Sequence, residues 1–218
     1  MEEPRDKPST GRRYGGQTPS QRADARRDRL LEAALELFGT KGVANTQIAA
    51  LCGAAGISPR DFYKSFPTRP ALMAALYDRL IADVASQVQR AVDGAPPSLE
   101  AKVRAGAKAF LGAYLDDPRV GRVVCLEVAS AEKELGGRPR KAMHLFVDLA
   151  RTELTSLRGK SRAPAGVSSL RLLAMTGAIN ELVIETLTSP KPPSRRRLES
   201  EVTELILLFV GHIERSDP

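Results

Sequence analysis

Residues 46–72 read TQIAALCGAAGISPRDFYKSFPTRPAL, and this stretch decides the fold. It holds two short helical patterns divided by a sharp break. One starts at Thr46 and turns Ile48, Leu51 and Cys52 inward; the other starts at Ser58. Two helices this short share a core only by meeting at a steep angle, which needs small residues at their contact. Ala49, Ala50, Ala54, Ala55 and Gly56 meet that need, with Gly56 placed where the chain must turn at positive φ. Ile57 plugs the small core under the turn. Ser58 suits an N-cap, Pro59 the first helical turn, and Asp61 completes an S-x-x-D capping arrangement. The spacing predicts a helix-turn-helix whose second member leads with its N-terminus.

Outward from this stretch nearly everything reads at helical period. Upstream, a helix over 23–38 places Leu30, Leu31, Ala34, Leu37 and Phe38 on one face, and Lys41-Gly42 ends it. Downstream, Thr68 caps a long helix through about Val92, with Leu72, Leu76, Leu80 and Val84 at every fourth position. After Asp93-Gly94-Ala95-Pro96-Pro97, Ser98 caps a helix bearing Leu99, Val103, Phe110, Leu111 and Tyr114. A shorter helix starts at Asp116-Asp117-Pro118, and another follows Gly136-Gly137. A polar loop over 158–166 precedes two strongly apolar helices, about 167–188 and 195–214. The expected architecture is all-α with about nine helices: an arm over 1–21, a head over 22–68 and a body over 69–218.

The 218 residues are 42% hydrophobic and 27% charged, enough for a core without disulfides or metals. No run approaches the length of a membrane span, and the opening MEEPRDKPSTGRRYGGQTPS lacks the apolar segment of a secretory signal. Cys52 and Cys125 sit in apolar helical patterns and read as reduced thiols of a cytoplasmic protein. The first 20 residues, rich in Pro, Gly, Ser and charge, read as a disordered basic arm. Net charge is +7, and the basic residues cluster at Arg5, Lys7, Arg12, Arg13, Arg22, Arg26, Arg27 and Arg29, then at Lys41, Arg60, Lys64 and Arg69. Such clustering is the electrostatic footprint of a nucleic-acid-binding end.

The motif resembles that of the TetR (tetracycline-repressor-like) family of regulators. The resemblance rests on Thr46, Leu51-Cys52, Ala55-Gly56-Ile57-Ser58, Phe62-Tyr63, Phe66, Arg69 and Leu72, and on the upstream segment ALELFGTKG. Cys52 stands where a small Ala is usual, Arg60 and Asp61 where residues are often small or hydroxylic, and Ser65 where His or Tyr is common. Operator sequence therefore does not carry over from any relative. The family implies a dimeric transcriptional regulator, a repressor that binds a palindromic operator and is released by a small ligand.

Candidate DNA-binding residues are Thr46, Gln47, Ser58, Pro59, Arg60, Asp61, Tyr63, Lys64 and Arg69. Arg60 either makes a bidentate contact to guanine or holds a phosphate. Asp61 either accepts from cytosine or caps its own helix. Tyr63 resembles the family's phosphate-bonding tyrosine, and Lys64 and Arg69 suit phosphates. Thr46 and Gln47 lie at a helix N-terminus, where backbone N–H groups favour phosphate oxygen. Phe62 and Phe66 are assigned to the core.

The body carries no catalytic constellation. His144 and His212 lack the company of a nucleophile or metal site, and neither metal nor cofactor is implied. The resemblance implies a ligand chamber and a dimer formed through the last two helices. Leu170, Leu173, Ile179, Leu182 and Val183 form one expected dimer stripe, and Leu198, Val202, Leu205, Ile206, Phe209 and Ile213 the other. Chamber candidates are Phe110, Tyr114, Cys125, Met143, Val147, Met175, Asn180 and Glu181, for a hydrophobic or amphipathic effector. Two other readings stay open: a ligand carrier or enzyme that borrowed the fold, and a non-specific DNA-packaging protein.

Overall fold

The computed structural model describes residues 18–130, 135–158 and 167–211, all helical apart from short connections. The head consists of α1 (Pro19–Lys41), α2 (Ile48–Ala55) and α3 (Pro59–Ser65). The long α4 (Arg69–Asp93) leads into a body of α5 (Leu99–Leu115), α6 (Pro118–Gly121), a π-helical turn (Arg122–Leu126), α7 (Glu127–Ser130), α8 (Arg138–Arg158), α9 (Ser169–Thr188) and α10 (Arg195–Val210). None of the helices among the described residues is long and apolar enough to cross a membrane.

Side-chain caps set most of the helix starts. Ser58, Thr68 and Ser98 each accept the backbone N–H three residues on, at 3.2, 3.1 and 3.2 Å, as their spacing predicts. Helix α1 begins four residues before its expected start at Ala23. Thr18 accepts the Gln21 N–H at 3.2 Å while the Gln21 side chain accepts the Thr18 N–H at 2.8 Å. This reciprocal box holds a polar first turn that hydrophobic periodicity does not register. Of the arm expected over 1–21, residues 1–17 lie outside the described residues and 19–21 belong to α1. Helix α2 begins two residues after Thr46, with Gln47 at its N-cap.

The head core gathers Leu30, Phe38, Leu51, Phe62, Leu72 and Leu76, all fully buried, as α1 packs on α2, α3 and α4. Ion pairs also hold α4: Arg79 bonds Glu32 of α1, and Asp78 is reached at 2.9 Å by Arg138 of α8 in the body. Such part-exposed pairs contribute about 0.2–1 kcal/mol each. Burial of one Leu or Phe contributes about 1.5–3 kcal/mol. Packing therefore holds α4 against the head. The close contact expected from small residues is made differently. Ala55 is buried beside Leu51 and Cys52, whereas Ala49, Ala50, Ala54 and Gly56 are exposed, leaving the outer face of α2 nearly bare. Gly56 has φ 62°, ψ 43°, the left-handed turn its position requires.

Within the body, α4 and α5 make the most extensive pairing, and α10 packs on α5 and α9. The expected dimer stripes need correction, because Ile179, Val183, Leu198 and Val202 are buried inside the protomer. The outer faces instead present Leu170 (78% exposed) and Leu208 (51%), flanked by half-buried Leu173, Leu182, Leu205 and Phe209, while Ile206 turns inward with Val202 and Val210. Ile213 lies outside the described residues.

Head and body also meet at the end of α1. Arg119 bonds Glu36 at 2.7 Å, and the Glu127 carboxylate accepts the Val43 N–H at 2.8 Å. The approach is so close that a Cβ on Gly39 would stand 2.5 Å from Arg119 Cβ and 2.8 Å from its Cα. Gly39→Ala is expected to force α1 and α6 apart and cost about 1–3 kcal/mol. Gly56→Ala, with open space around its Cβ, is expected to cost about 1–2 kcal/mol through backbone strain alone. Urea denaturation measures both losses. In limited proteolysis, only the Gly39 variant should expose the α1–α6 junction, and equal protection of the two variants would refute the distinction.

Candidate functional site

The outer surface of the helix-turn-helix is built from the N-terminal ends of α2 and α3. Gln47 caps α2 by backbone geometry alone; its side chain makes no cap hydrogen bond and is exposed. Arg60, in the first turn of α3, is exposed and bonds no other described residue. Tyr63 is 55% exposed, its ring edge-on to buried Phe62 at 5.3 Å between centroids. That contact braces the ring on one side, and more than half of the residue stays open to solvent. Ser58 and Pro59 are exposed at the start of the same helix. Gln47, Arg60 and Tyr63 thus present polar groups beside the bare surface of Ala49, Ala50, Gly53 and Ala54.

Other candidate residues are committed within the fold. Asp61 accepts from Ser58 Oγ at 2.8 Å and from Lys64 Nζ at 2.8 Å. Those two bonds, Lys64 first, hold its carboxyl below the ordinary carboxylate range. The carboxylate thus bonds the Ser58 hydroxyl, the same group that caps α3 by accepting the Asp61 N–H. Thr46 is buried; its hydroxyl donates to Gly42 O at 2.8 Å and its N–H to Val43 O at 3.2 Å, so neither donor is left for a phosphate. Arg69 donates Nη1 to Thr46 O at 2.7 Å and thereby bolts the start of α4 to the approach to α2. Its remaining guanidinium hydrogens stay available. A further residue, missed by sequence reasoning, is Arg27. Its guanidinium lies 4.3 Å from the centre of the Phe66 ring, and Nη1 donates to Ser65 O at 3.4 Å, tying α1 to the end of α3. The only available signal was an arginine and an aromatic far apart in sequence.

A cavity of about 150 Å³ lies among α4, α5, α8, α9 and α10. Of the eight chamber candidates, Phe110 and Met175 line it. Tyr114 and Val147 are core, the former edge-on to Phe110 at 4.8 Å. Met143 packs near Gly177, and Glu181 is exposed. Cys125 points its thiol at Asn180 Oδ1, 3.9 Å away, and burial pushes that thiol up to about 12, so it stays protonated at neutral pH. The cavity's polar wall is a set that sequence reasoning did not select. Lys102 Nζ lies 2.8 Å from Glu153 Oε2, and Gln89 donates to Glu153 Oε1 at 3.1 Å. These residues come from three helices, and no local pattern announces them.

Arg69→Leu should remove a charge-assisted bond to Thr46 O and cost about 1.5 kcal/mol of unfolding free energy. Arg69→Lys should restore only part of it, because an ammonium lacks the planar fork. Urea denaturation of the three proteins tests this; equal midpoints would show that the bolt bears no load.

Comparison with known proteins converges on one group. Residues 30–76 match the model of the bacterial regulatory proteins of the tetR family. Over 170 residues the chain is 25% identical to the HTH-type transcriptional regulator EthR of Mycolicibacterium smegmatis, covering 78% of each chain. Its fold is similar to that of the fatty acid degradation regulator FadR from Bacillus halodurans, with TM-score 0.72 and 16% identity over 87% of this chain and 96% of that one. FadR from Bacillus subtilis, solved in complex with stearoyl-CoA, gives TM-score 0.71 and 15% identity over 86% of this chain and 99% of that one. The head thus matches the tetR family of bacterial regulatory proteins over residues 30–76, and over most of its length the chain is similar to a helix-turn-helix transcriptional regulator.

Proposed function

We propose that this chain is a TetR-type transcription regulator, a dimeric repressor that occupies a palindromic operator and leaves it when a small apolar or amphipathic ligand enters the body. The observation that carries the DNA half is the set of uncommitted groups on Gln47, Arg60 and Tyr63 around the exposed ends of α2 and α3. Ser58 and Pro59 bring the α3 backbone close to the duplex, and Arg60 reads a base edge. Tyr63, Gln47 and the free hydrogens of Arg69 hold phosphates, which set register without reading sequence. Lys64, tethered to Asp61, supplies positive charge near the backbone.

The ligand half draws support from the mostly apolar cavity and from the stearoyl-CoA complex described for Bacillus subtilis FadR. Helix α4 links the two halves. It carries Arg69 at the head and Val88, Gln89 and Val92 at the cavity, nineteen residues and about 28 Å of helix apart. The Glu127–Val43 contact supplies a second link. A ligand shifts the protein off DNA only through unequal affinity for the two arrangements.

Dimerisation through α9 and α10 is supported by the exposed Leu170 and Leu208. The double variant Leu170→Glu, Leu208→Glu should sediment as a monomer with native helicity, while the unaltered chain sediments as a dimer. A dimeric double variant would move the interface elsewhere.

Fluorescence anisotropy on genomic fragments tests the DNA reading. A preferred fragment should emerge, and affinity should fall steeply as salt rises. Arg60→Ala should cost about 1–3 kcal/mol on that fragment and far less on random duplex. Uniform affinity for every duplex would sink the repressor reading.

A further inference from the structure

The cavity wall is apolar except for Gln89, Lys102, Glu153 and Thr176. Each of these has a definite hydrogen-bond account. Thr176 donates its hydroxyl to Leu172 O at 2.9 Å. Gln89 Nε2 donates to Asp93 Oδ1 at 2.9 Å and to Glu153 Oε1 at 3.1 Å, which uses both amide hydrogens. Glu153 receives Gln89 on one oxygen and Lys102 on the other. Lys102 gives one of its three ammonium hydrogens to Glu153 and has no other acceptor among the described residues. Its side chain is only 16% exposed, and that of Glu153 only 20%.

Two consequences follow. The donors left in the cavity wall belong to Lys102, so an occupant gains a hydrogen bond there by offering an acceptor. The Lys102 and Glu153 charges already cancel, so a charged occupant meets no uncompensated partner. It loses hydration on entering apolar walls, and its attraction to one member of the pair is offset by repulsion from the other, so that loss is not recovered. An uncharged occupant meets neither cost.

On the reading that this cavity receives the effector, we propose that it selects uncharged, largely hydrocarbon molecules bearing one carbonyl-type oxygen, which accepts from Lys102, over carboxylates and amines of the same length. Phe110, Phe146, Leu149, Ile179 and Ile206 enclose the hydrocarbon part. Glu153 acts as the neutralising partner that makes the site discriminate against anions.

Isothermal titration calorimetry on the full chain, with methyl octanoate, octanoate and octylammonium as probes, tests the assignment. Methyl octanoate should bind at least tenfold more tightly than either charged probe. Glu153→Gln leaves the Lys102 cation uncompensated and should shrink the ester-to-carboxylate ratio at least fivefold. The double variant Lys102→Met, Glu153→Leu should weaken the ester at least fivefold, and Ile179→Trp should abolish binding by filling the cavity. Circular dichroism checks the fold of each variant; if the double variant does not fold, the Glu153→Gln ratio decides. The proposal fails if a charged probe matches the ester, if no probe binds, or if Glu153→Gln leaves the ratio unchanged. Operator anisotropy run in parallel separates it from the repressor reading. Ester binding without DNA release overturns ligand-driven release alone, whereas release by octanoate in preference to the ester overturns the selectivity alone.

Discussion

Helix α4 must bury one apolar stripe against two different neighbours, and the rest of the molecule is arranged around that constraint. Leu72, Met73 and Leu76 close the head core against α1, while Val84, Val88 and Val92 face the body along α5. A single continuous rod shared by head and body cannot shift at one end without disturbing the other. The polar contacts at its ends follow from this. Arg69 fixes the head end to Thr46 O, and Gln89 joins the far end to Glu153. Neither contact is strong beside the buried stripe, but each sets the rod's position where small movements have the largest effect.

Much of this was legible in residues 46–72, because the informative interactions there are local. Ser58 and Thr68, like Ser98 farther along, announce their caps through partners three residues away, and Gly56 announces its turn by lacking a side chain. Interactions that depend on the third dimension were not legible. Thr46 matches the family pattern and invites a phosphate role, yet its hydroxyl turns inward to the end of α1. The small residues of α2 suggest helix contact, yet most of them face out. The cavity's amide and charged residues, Gln89, Lys102 and Glu153, lie on α4, α5 and α8, separated by many turns, so composition and periodicity treat each as an ordinary surface group. Conversely, Glu181 looked conspicuous on an apolar helix only because the exposed side of that helix was unknown.

The head illustrates how two adjacent charged side chains can be engaged differently. Asp61 stands in α3 with its carboxylate held by a hydroxyl and an ammonium of the same helix end. Arg60, one residue earlier on the same helix, has no such engagement. Neighbouring charged residues on a short helix therefore divide the work: one stabilises the helix and the other remains available.

The π-helical turn over Arg122–Leu126 carries a consequence for how this molecule tolerates change. Such a turn accommodates an extra residue within a helical path, and one residue of regular helix spans about 100° of rotation. It therefore sets the angular phase between α6, whose Arg119 grips Glu36, and α7, whose Glu127 grips Val43. Loss of a single residue there would leave the segment helical and its apolar content almost unaltered. It would nevertheless turn one of the two grips away from α1. The segment behaves as a phase coupling, more sensitive to the number of its residues than to their identity.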